Sequence, residues 1–407
     1  MNPHSAALLS RRQRRMLCTL AFLMVAVSWS PLLPGLFSVN SSLFFLGSFV
    51  PFAAIIGYQQ RLNIRLVLIC CTLLAVSLLS LMLTQSTTLW NRTAPLGFIL
   101  FAAYYIARDR RLVESLCAAL SVWLGVGIVM SMTGLFYAYV GGDPLLAIEN
   151  PDGRDNLLYL TTMSGPPLGN VIRPSWVYDE PGAFSFLICS VVALRHVLKR
   201  ATKWSWLLMI GGLVTLSLTH ALLMVVFLLF HLGVLRTTAL AALLVTGVHS
   251  LAPEVEDLDF VTARFVIEDG RLAGDNRSDQ IENFMNIASV QTLFFGNIEC
   301  HDRPDRSCDE HGDISSSPAT PTYYGGLILL MAQIATHAAL VIAFFKRRDL
   351  RLPAMFLTIL LLQRPYFAGF GYGLMAYVSV FLMFSSTREK PIPQRRSQPN
   401  GFSRPVF

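Results

Sequence analysis

Residues 11–37 read RRQRRMLCTLAFLMVAVSWSPLLPGLF, a cluster of four arginines followed by a long apolar run. A basic cluster before an apolar segment is typical of a secretory signal peptide. Here the run is longer than a signal peptide needs, and no clear small-residue cleavage site follows it. We therefore predict a retained first membrane span, with its arginines on the cytoplasmic side.

The composition of the whole chain agrees with a membrane protein. Hydrophobic residues make up 54% of the 407 positions and charged residues only 14%, whereas an ordinary globular chain has about 25% charged residues. These proportions exclude two or three soluble domains, since so much apolar surface needs lipid. At about 20 residues a span, a dozen helical spans would use about 240 residues and leave room for sizeable loops.

Basic residues fall in clusters after every second apolar run. The clusters are Arg61 and Arg65; Arg108, Arg110 and Arg111; Arg195, Lys199, Arg200 and Lys203; Arg236; Lys346, Arg347, Arg348 and Arg351; Arg388 and Lys390. They mark the cytoplasmic side, because membrane proteins carry an excess of Lys and Arg there. The net charge of +7 therefore reflects membrane topology, and we expect no nucleic-acid partner.

The intervening connections behave differently and are expected outside. They cover residues 84–93, which are nearly neutral, and the long stretches 141–180 and 253–323, of which the last is acid-rich. The pattern predicts an all-α polytopic protein with about twelve spans, both termini inside, and a single transmembrane domain over residues 1–407. We expect residues 390–407 to form a disordered cytoplasmic tail. The runs at 204–219 and 221–235 are short for spans, and a re-entrant pair is the alternative there.

Two of the seven cysteines lie in the last expected outer loop. Cys300 and Cys308 belong to the segment ECHDRPDRSCD at 299–309. An oxidising compartment would let them form a disulfide. The alternative is a metal site with His301 and His311, but the spacing fits no standard zinc pattern. We predict the disulfide and no bound metal.

Ionisable groups inside the predicted spans are scarce, which argues against movement of a solute or proton through the bundle. The candidates are His220, His231, His337 and Arg364. The large outer loops hold most of the polar residues instead. Chemistry at the outer face is therefore the better prediction.

The segment RPSWVYDEPGAF at 173–184 carries the first candidate site. Pro181 suits the first turn of a helix, and Asp179 and Glu180 would then complement its positive dipole end. The helix dipole does not explain Arg173. A basic residue in this outer connection also departs from the bias of Lys and Arg towards the cytoplasm. A guanidinium there is able to hold a lipid-linked phosphate through a bidentate contact. The alternative is a salt bridge to Asp179 or Glu180.

The segment GRLAGDNRSDQIENFM at 270–285 carries the second candidate site. It predicts a helix whose N-terminus is capped by Asn276. Arg277 would lie in the first turn, where a cation opposes the helix dipole. This position becomes favourable if an anion binds there, and an ordinary exposed arginine is the alternative. Arg264 and Arg271 are weaker candidates for the same role.

Further candidates lie at expected outer helix ends. His220, in the sequence TLSLTHA, is a candidate base for a sugar hydroxyl because histidine titrates near neutral pH. A hydrogen bond to a neighbouring Ser or Thr is the alternative. Arg364 and Tyr366 are expected to form a short outer turn. Trp176 and Tyr178 are expected at the membrane interface, where such side chains are enriched.

The order of these features resembles the bacterial O-antigen polymerase and O-antigen ligase superfamily. The matching stretches, in order, are Arg173 with DEPGAF, SLTH before the large loop, NRSDQI and TLFFGN within it, and YYGGLILL before the next span. They cover about residues 165–345. The resemblance implies a GT-C-like helical bundle in the bacterial inner membrane, with periplasmic loops at 141–180 and 253–323.

The resemblance also implies a glycosyltransferase without cofactors that acts at the periplasmic face. Its donor would be an oligosaccharide on undecaprenyl pyrophosphate, with a chain-length regulator and a flippase as candidate partners. Arg173 and Arg277 match the outer-loop arginines that engage the pyrophosphate, and Glu180 matches the acidic residue of the Glu-Pro turn. The predicted catalytic set is Arg173, Arg277, Glu180 and His220, and the predicted substrate-binding residues are Arg264, Arg271, Tyr178, Arg364 and Tyr366.

The large loop offers no secure equivalent of the histidine found in ligases, since neither His301 nor His311 lies in a matching motif. This departure favours a polymerase that joins repeat units of O-antigen, capsule or exopolysaccharide, by a reaction that inverts the anomeric carbon. An O-antigen ligase and a lipid-linked oligosaccharide flippase or transporter are the alternatives.

Overall fold

The architecture comes from a computed structural model that is mostly helical. It describes residues 13, 16, 17, 19, 20, 63–149, 155–164, 172–200, 202–251, 267–268, 271–272, 276–297 and 317–385. The helices are α1 Ile64–Thr84, α2 Thr87–Thr93, α3 Pro95–Arg108, α4 Arg110–Tyr139, α5 Pro181–Val197, α6 Lys203–Gly211, α7 Leu218–Leu232, α8 Val234–Leu251, α9 Asn276–Ile287, α10 Val290–Phe295, α11 Thr320–Lys346, α12 Arg351–Gln363 and α13 Phe370–Ser385. Short 3-10 turns at Gly212–Thr215 and Arg348–Leu350 precede α7 and α12.

Three of the described helices, α1, α4 and α11, are long and apolar enough to cross a membrane. Shorter apolar helices cover Pro181–Val197, Leu218–Leu232, Val234–Leu243 and Gly371–Ser385. The fold is therefore suited to a membrane, as the composition predicts. Helix α4 has 30 residues and so rises about 45 Å, which exceeds the roughly 30 Å hydrocarbon core of a bilayer. Part of α4 would reach beyond the apolar layer.

Helix α5 is the central element of the bundle. Fifteen of its 17 residues are buried, because it packs against α4, α6, α7, α12 and α13. Its sequence is apolar on every side, as expected for a helix surrounded by other helices. Glu180 precedes the helix and Arg195 lies in its last turn. The two charged residues therefore mark opposite ends of the core.

Residues 146–176 contain an antiparallel four-stranded sheet, which the all-α prediction did not include. The strands are β1 Leu146–Glu149, β2 Asp155–Tyr159, β3 Thr162–Ser164 and β4 Pro174–Trp176, in the order β1-β2-β3-β4. A two-stranded hairpin, β5 Ile267–Glu268 and β6 Arg271–Leu272, lies in the large loop. Strands of this length give too few residues for a clear alternating pattern in the sequence. They nevertheless pair backbone groups that helices do not satisfy.

The four-stranded sheet is docked on the C-terminal half of α4. A Cβ atom at Gly134 would lie 2.5 Å from the Thr162 side chain and 2.6 Å from the Tyr159 carbonyl oxygen. Only glycine permits so close an approach of the two backbones. The Thr161 hydroxyl also donates to the Met130 carbonyl at 2.6 Å. These contacts fix the sheet at one end of the bundle.

Helices α6 and α7 form the expected apolar hairpin. The rings of Trp206 on α6 and His231 on α7 have centroids 5.5 Å apart at its open end. Leu216 at its tip adopts a left-handed backbone, with φ of 48°. Helix α6 has nine residues and rises about 14 Å. The hairpin therefore enters and leaves from the end of the bundle that carries Arg195.

Three of the predicted cytoplasmic clusters, at 108–111, 195–203 and 346–351, meet at one end of the bundle. Glu114 binds Arg110 at 3.3 Å and Arg200 at 2.8 Å, and Asp349 binds Lys199 at 3.6 Å. These ion pairs join the connections that follow α3, α5 and α11, which lie far apart in the sequence. We call this group, Arg110, Glu114, Lys199, Arg200 and Asp349, the paired end.

Arg195 reinforces the paired end from inside the core. Its side chain is buried, and its guanidinium donates to the hydroxyls of Ser121 at 3.0 Å, Thr202 at 2.6 Å and Ser205 at 3.2 Å. A buried guanidinium is tolerated when its donors find such acceptors. The network ties α4, α5 and α6 together.

Candidate functional site

An ion pair between Glu180 and Arg364 lies at the opposite end of α5 and α12 from the paired end. Glu180 is the N-cap residue of α5, with an extended backbone, and Arg364 follows the last residue of α12. The Arg364 Nη2 donates to the Glu180 Oε2, across 184 positions of sequence. The Arg364 side chain is 9% exposed and that of Glu180 is 31% exposed. The pair thus combines a buried cation with a carboxylate that retains contact with its surroundings.

Gly182, in the first turn of α5, makes room for the Arg364 guanidinium. A Cβ atom at this position would lie 2.7 Å from Arg364 Nη2. Pro181 begins the helix, where its missing N–H leaves no further unpaired donor. The prediction that Pro181 lies in a first helical turn is confirmed. Each residue of the Glu-Pro-Gly sequence therefore has its own role. Glu180 supplies the carboxylate, Pro181 begins the helix, and Gly182 leaves space for the Arg364 guanidinium.

The electrostatics of this region centre on Arg364. Burial raises the pKa of the Asp179 carboxyl, and the Arg364 guanidinium opposes that shift. Burial also raises the pKa of the Tyr366 phenol, against the same opposing charge. The buried Arg364 guanidinium therefore faces two neighbouring carboxylates, Asp179 and Glu180. Their negative charges offset its positive charge.

An aromatic cluster supports the segment that carries these carboxylates. It consists of Trp123, Trp176, Tyr178 and Phe184, with ring centroids between 4.3 and 5.9 Å apart. The Trp123 Nε1 donates to the Tyr178 hydroxyl at 3.2 Å. Both Trp176 and Tyr178 are buried, so their predicted place at the membrane interface is wrong. Packing on α4 and α5 buries these large rings, and Tyr178 acts as a support instead of touching a substrate.

Trp176 is held in an unusual backbone conformation. Its φ is 55°, in the left-handed region that bulky residues rarely adopt. Gly127 on α4 makes this possible, because a Cβ atom there would lie 2.4 Å from the indole. Such strain persists only where packing imposes it and is common near functional sites. Here it lies between Arg173, which is partly buried, and Asp179.

The stretches TLFFGN and YYGG lie side by side. The Asn297 N–H donates to the Tyr323 carbonyl at 2.8 Å. Gly326 interrupts α11 with φ of 53°, and a Cβ atom there would lie 2.3 Å from the Phe294 carbonyl oxygen. A Cβ atom at Gly296 would lie 2.8 Å from the Tyr323 carbonyl oxygen. Two glycines thus let the start of α11 pack backbone to backbone against the end of α10.

Arg92, which is not among the predicted site residues, also joins this region. It lies in the last turn of α2 and is exposed. Its Cζ is 4.8 Å from the centroid of the Tyr324 ring. Its charge also acts to lower the pKa of Tyr366, against the larger effect of burial. The available signal was an arginine in a connection expected outside, where basic residues are depleted.

His220 is buried at the tip of the α6–α7 hairpin. Its Nε2 lies 2.8 Å from the Met209 carbonyl oxygen and must donate to it, which leaves Nδ1 to accept from the Ser185 hydroxyl at 3.2 Å. A Cβ atom at Gly212 would lie 2.2 Å from the ring. The geometry favours the hydrogen-bonding alternative over proton transfer from a sugar hydroxyl. We therefore give His220 a structural role.

The second predicted segment is described only in part. Helix α9 begins at Asn276, so Arg277 lies in its first turn as predicted. The side chains of Arg271 and Arg277, and the whole of Arg264, Cys300, His301, Cys308 and His311, lie outside the described residues. Among the residues that the structure describes, no group of three or more His, Cys, Asp or Glu side chains is placed to hold a metal ion.

Four connections expected on the outer side therefore meet. They are α2, the β4–α5 segment, the α10–α11 junction and the α12–α13 turn. We call Arg92, Asp179, Glu180, Tyr324 and Arg364 the site end. Guanidinium groups, carboxylates and partly exposed tyrosines are together able to hold an anion and to orient a hydroxyl group.

No family model, no curated protein and no solved structure matches this chain.

Proposed function

We propose that the chain is a polysaccharide repeat-unit polymerase of the bacterial inner membrane. It joins oligosaccharides carried on undecaprenyl pyrophosphate, for O-antigen, capsule or exopolysaccharide, at the periplasmic face. The observation that carries the proposal is the convergence of four expected outer connections on the Glu180–Arg364 pair and Arg92. A protein that only moved a solute would not need this collection of charged and aromatic side chains outside its spans.

The proposal includes about twelve spans with both termini in the cytoplasm. The described helices support it because three of them run between the paired end and the site end: α3 from beside Arg92 towards Arg110, α5 from Glu180 towards Arg200, and α12 from Asp349 to Arg364. The basic paired end would face the cytoplasm, as the excess of Lys and Arg requires. The count also takes in two apolar runs before residue 61 and the short helices α6 and α7.

The reaction we propose is a single displacement at the anomeric carbon of the donor. The acceptor hydroxyl oxygen forms the new glycosidic bond, and the bond from the anomeric carbon to the diphosphate breaks with its electron pair going to the diphosphate oxygen. Arg173 and Arg277 neutralise the charge that develops there, which supplies most of the rate enhancement. The hydroxyl proton goes to a carboxylate, and the anomeric carbon is inverted.

The carboxylates at the site end suit the acceptor side of this reaction. Glu180 is fixed by Arg364 and keeps 31% exposure, so it is able to accept a hydrogen bond from the acceptor hydroxyl and hold it in line. Asp179 has a pKa raised by burial, which moves a carboxylate towards the range of an effective general base. Glu180 orients the hydroxyl, and Asp179 accepts its proton.

Deletion of the gene in the native host tests the proposal. We expect surface glycan carrying single repeats, with polymer restored by the full-length chain supplied in trans. Gel electrophoresis of the surface glycan, together with extraction of lipid-linked repeats, provides the measurement. Unchanged polymer length after a clean deletion would contradict the proposed function.

The same experiment separates the two alternative functions. Loss of all transfer to the final acceptor, with polymer still made on the lipid carrier, would indicate a ligase. Lipid-linked repeats that accumulate only on the cytoplasmic leaflet would indicate a flippase. Product analysis by NMR tests the stereochemistry, and a retained anomeric configuration would contradict the single displacement.

A further inference from the structure

Arg92 has a different electrostatic environment from Arg364. Arg364 is buried against Glu180, so its charge is already offset. Arg92 is exposed and, among the described residues, forms no ion pair. The Arg92 Cζ lies over the Tyr324 ring, 4.8 Å from its centroid, and a guanidinium in such a contact can still donate N–H groups to a ligand. Arg92 is thus an exposed guanidinium that can bind a new anion.

The neighbourhood of Arg92 is also suited to a saccharide. Tyr324 and Tyr366 are both partly exposed. The Tyr324 ring centroid lies 4.8 Å from the Arg92 Cζ, and the charge of Arg92 acts to lower the pKa of Tyr366. Aromatic faces beside hydrogen-bond donors are able to bind sugar rings through apolar contact while the donors bind oxygen atoms. A helix C-terminus also favours a cation, but that role needs neither tyrosine.

We propose that Arg92, with its guanidinium over the Tyr324 ring, forms an anion-binding subsite for the lipid-linked saccharide. The inference rests on the proposed function, since it assigns part of the same substrate to a further residue. The anion is either the diphosphate or a carboxylate of an acidic sugar, because a guanidinium binds both through paired N–H donors. Arg92 holds this group and Arg364 does not.

Binding measurements on purified full-length protein in detergent test the subsite. The probes are inorganic pyrophosphate and digalacturonate, with affinity read from intrinsic tryptophan fluorescence. We expect Arg92→Gln to weaken one probe by about tenfold or more, as for loss of a charge-assisted contact. Arg92→Lys should fall between Arg92→Gln and the wild type, because it keeps the charge but not the paired donors. The probe that responds identifies the source of the anion.

Arg108→Gln is the matched control. Arg108 is also exposed, lies in the last turn of a helix and stacks on a tyrosine, with its Cζ 5.6 Å from the Tyr104 ring. It lies at the other end of α3, so its loss should leave both affinities within about twofold. Melting temperatures of both variants exclude unfolding as the cause. If Arg92→Gln does not fold, the reduced affinity of Arg92→Lys carries the test.

Three results would overturn the subsite. If the wild type binds a probe and Arg92→Gln binds it equally well, the subsite is absent while the proposed function stands. If the wild type binds neither probe, the subsite is also refuted, and the deletion phenotype then decides the function independently. An equal loss in Arg92→Gln and Arg108→Gln would indicate a general effect of charge and would likewise contradict the inference.

Discussion

The two ends of the helical bundle use charge in opposite ways. At the paired end, Glu114 binds two arginines, and Asp349 has its pKa lowered mainly by a hydrogen bond from Arg347. At the site end, burial raises the pKa of Asp179, and Arg92 is exposed without an ion pair among the described residues. Charges at the first end stabilise the connections, whereas Asp179 and Arg92 at the second end have charges that burial opposes or that no described ion pair offsets.

This difference separates structural from functional use of the same residue types. Residues selected for stability alone are expected to satisfy one another, and deviations concentrate where a protein binds or reacts. The left-handed backbone of Trp176 follows the same division, because the segment that carries Trp176 leads directly into Asp179 and Glu180. Substitutions at the paired end should therefore change mainly stability, whereas substitutions at the site end should change mainly activity.

The largest effect is expected for Arg364→Met. Removing the buried cation leaves Glu180 without this partner and breaks a largely buried pair, which costs about 3 kcal/mol of stability. Repeat-unit polymerisation should fall by about 100-fold or more, because Glu180 is no longer held. Lys199→Met is the control at the paired end, where the exposed pair with Asp349 is worth about 1 kcal/mol or less. Equal effects in thermal melts and polymer assays would remove the distinction between the ends.

Gly182→Ala should reduce activity more than it reduces stability. The new Cβ atom, 2.7 Å from Arg364 Nη2, would push the guanidinium away from Glu180, and a displacement of this size in a reacting geometry costs about tenfold or more in rate. Gly211→Ala is the control, since its Cβ atom would lie 2.8 Å from Ile128 and away from the charged pair. It should lower the melting temperature and preserve polymer length. The reverse pattern would contradict the positioning role of Gly182.

Gly127→Ala tests whether the aromatic cluster positions the site. A Cβ atom 2.4 Å from Trp176 forces the indole to move, at a cost of about 1–3 kcal/mol, and should shift the segment that carries Arg173. Trp176→Phe in the same chain should restore part of the lost activity, because the smaller ring leaves room for the methyl group. A double-mutant cycle on polymer yield measures this coupling. Strict additivity would indicate that the cluster does not act on the site.

The smallest expected effect is on the melting temperature of Asp→Asn variants at Asp179 and Asp349, and its sign is opposite at the two ends. Because burial raises the pKa of Asp179, its ionised form opposes folding at neutral pH, and Asp179→Asn should raise the melting temperature there. That gain should decrease as pH falls through the raised pKa and disappear below about pH 4, where the unfolded carboxyl is also protonated. Polymerisation should fall at the same time.

Asp349→Asn provides the opposite case. Its pKa is lowered by the hydrogen bond from Arg347, so its ionised form supports folding above about pH 4, and that support is lost as pH falls through the lowered pKa. The substitution should slightly lower the melting temperature at neutral pH and leave polymer length unchanged. Melting curves between pH 3 and 8 check both variants. Differences that do not vary with pH would contradict these assignments.

Much of the architecture follows from local sequence. Apolar runs and basic clusters predict helices that alternate between two ends, and Pro181 predicts the start of α5, because these signals act over one or two helical turns. The hairpin around Leu216 is likewise visible from two short apolar runs. The sheet on α4 is not, since strands of three to five residues carry little periodic signal.

The composition of the site is harder to predict, because it depends on contacts across the chain. Glu180 and Arg364 are 184 positions apart, and no local pattern links them. Tyr178 was expected to face a substrate but is buried, since an aromatic residue before a helix suits either an interface or a core. The role of Arg92 could not be predicted, because α2 is short and the environment of Arg92 depends on Tyr324, which follows much later in the chain.

The most direct test of the account is the length of the glycan made by Arg173→Ala and Arg277→Ala in the deletion strain. Both variants should accumulate at normal levels and leave single repeats, and Arg173→Lys should also be impaired if the contact is bidentate. Arg200→Ala, at the paired end, should restore full-length polymer. Wild-type chain length in both Arg173→Ala and Arg277→Ala would contradict the claim that these two guanidinium groups act on the departing diphosphate.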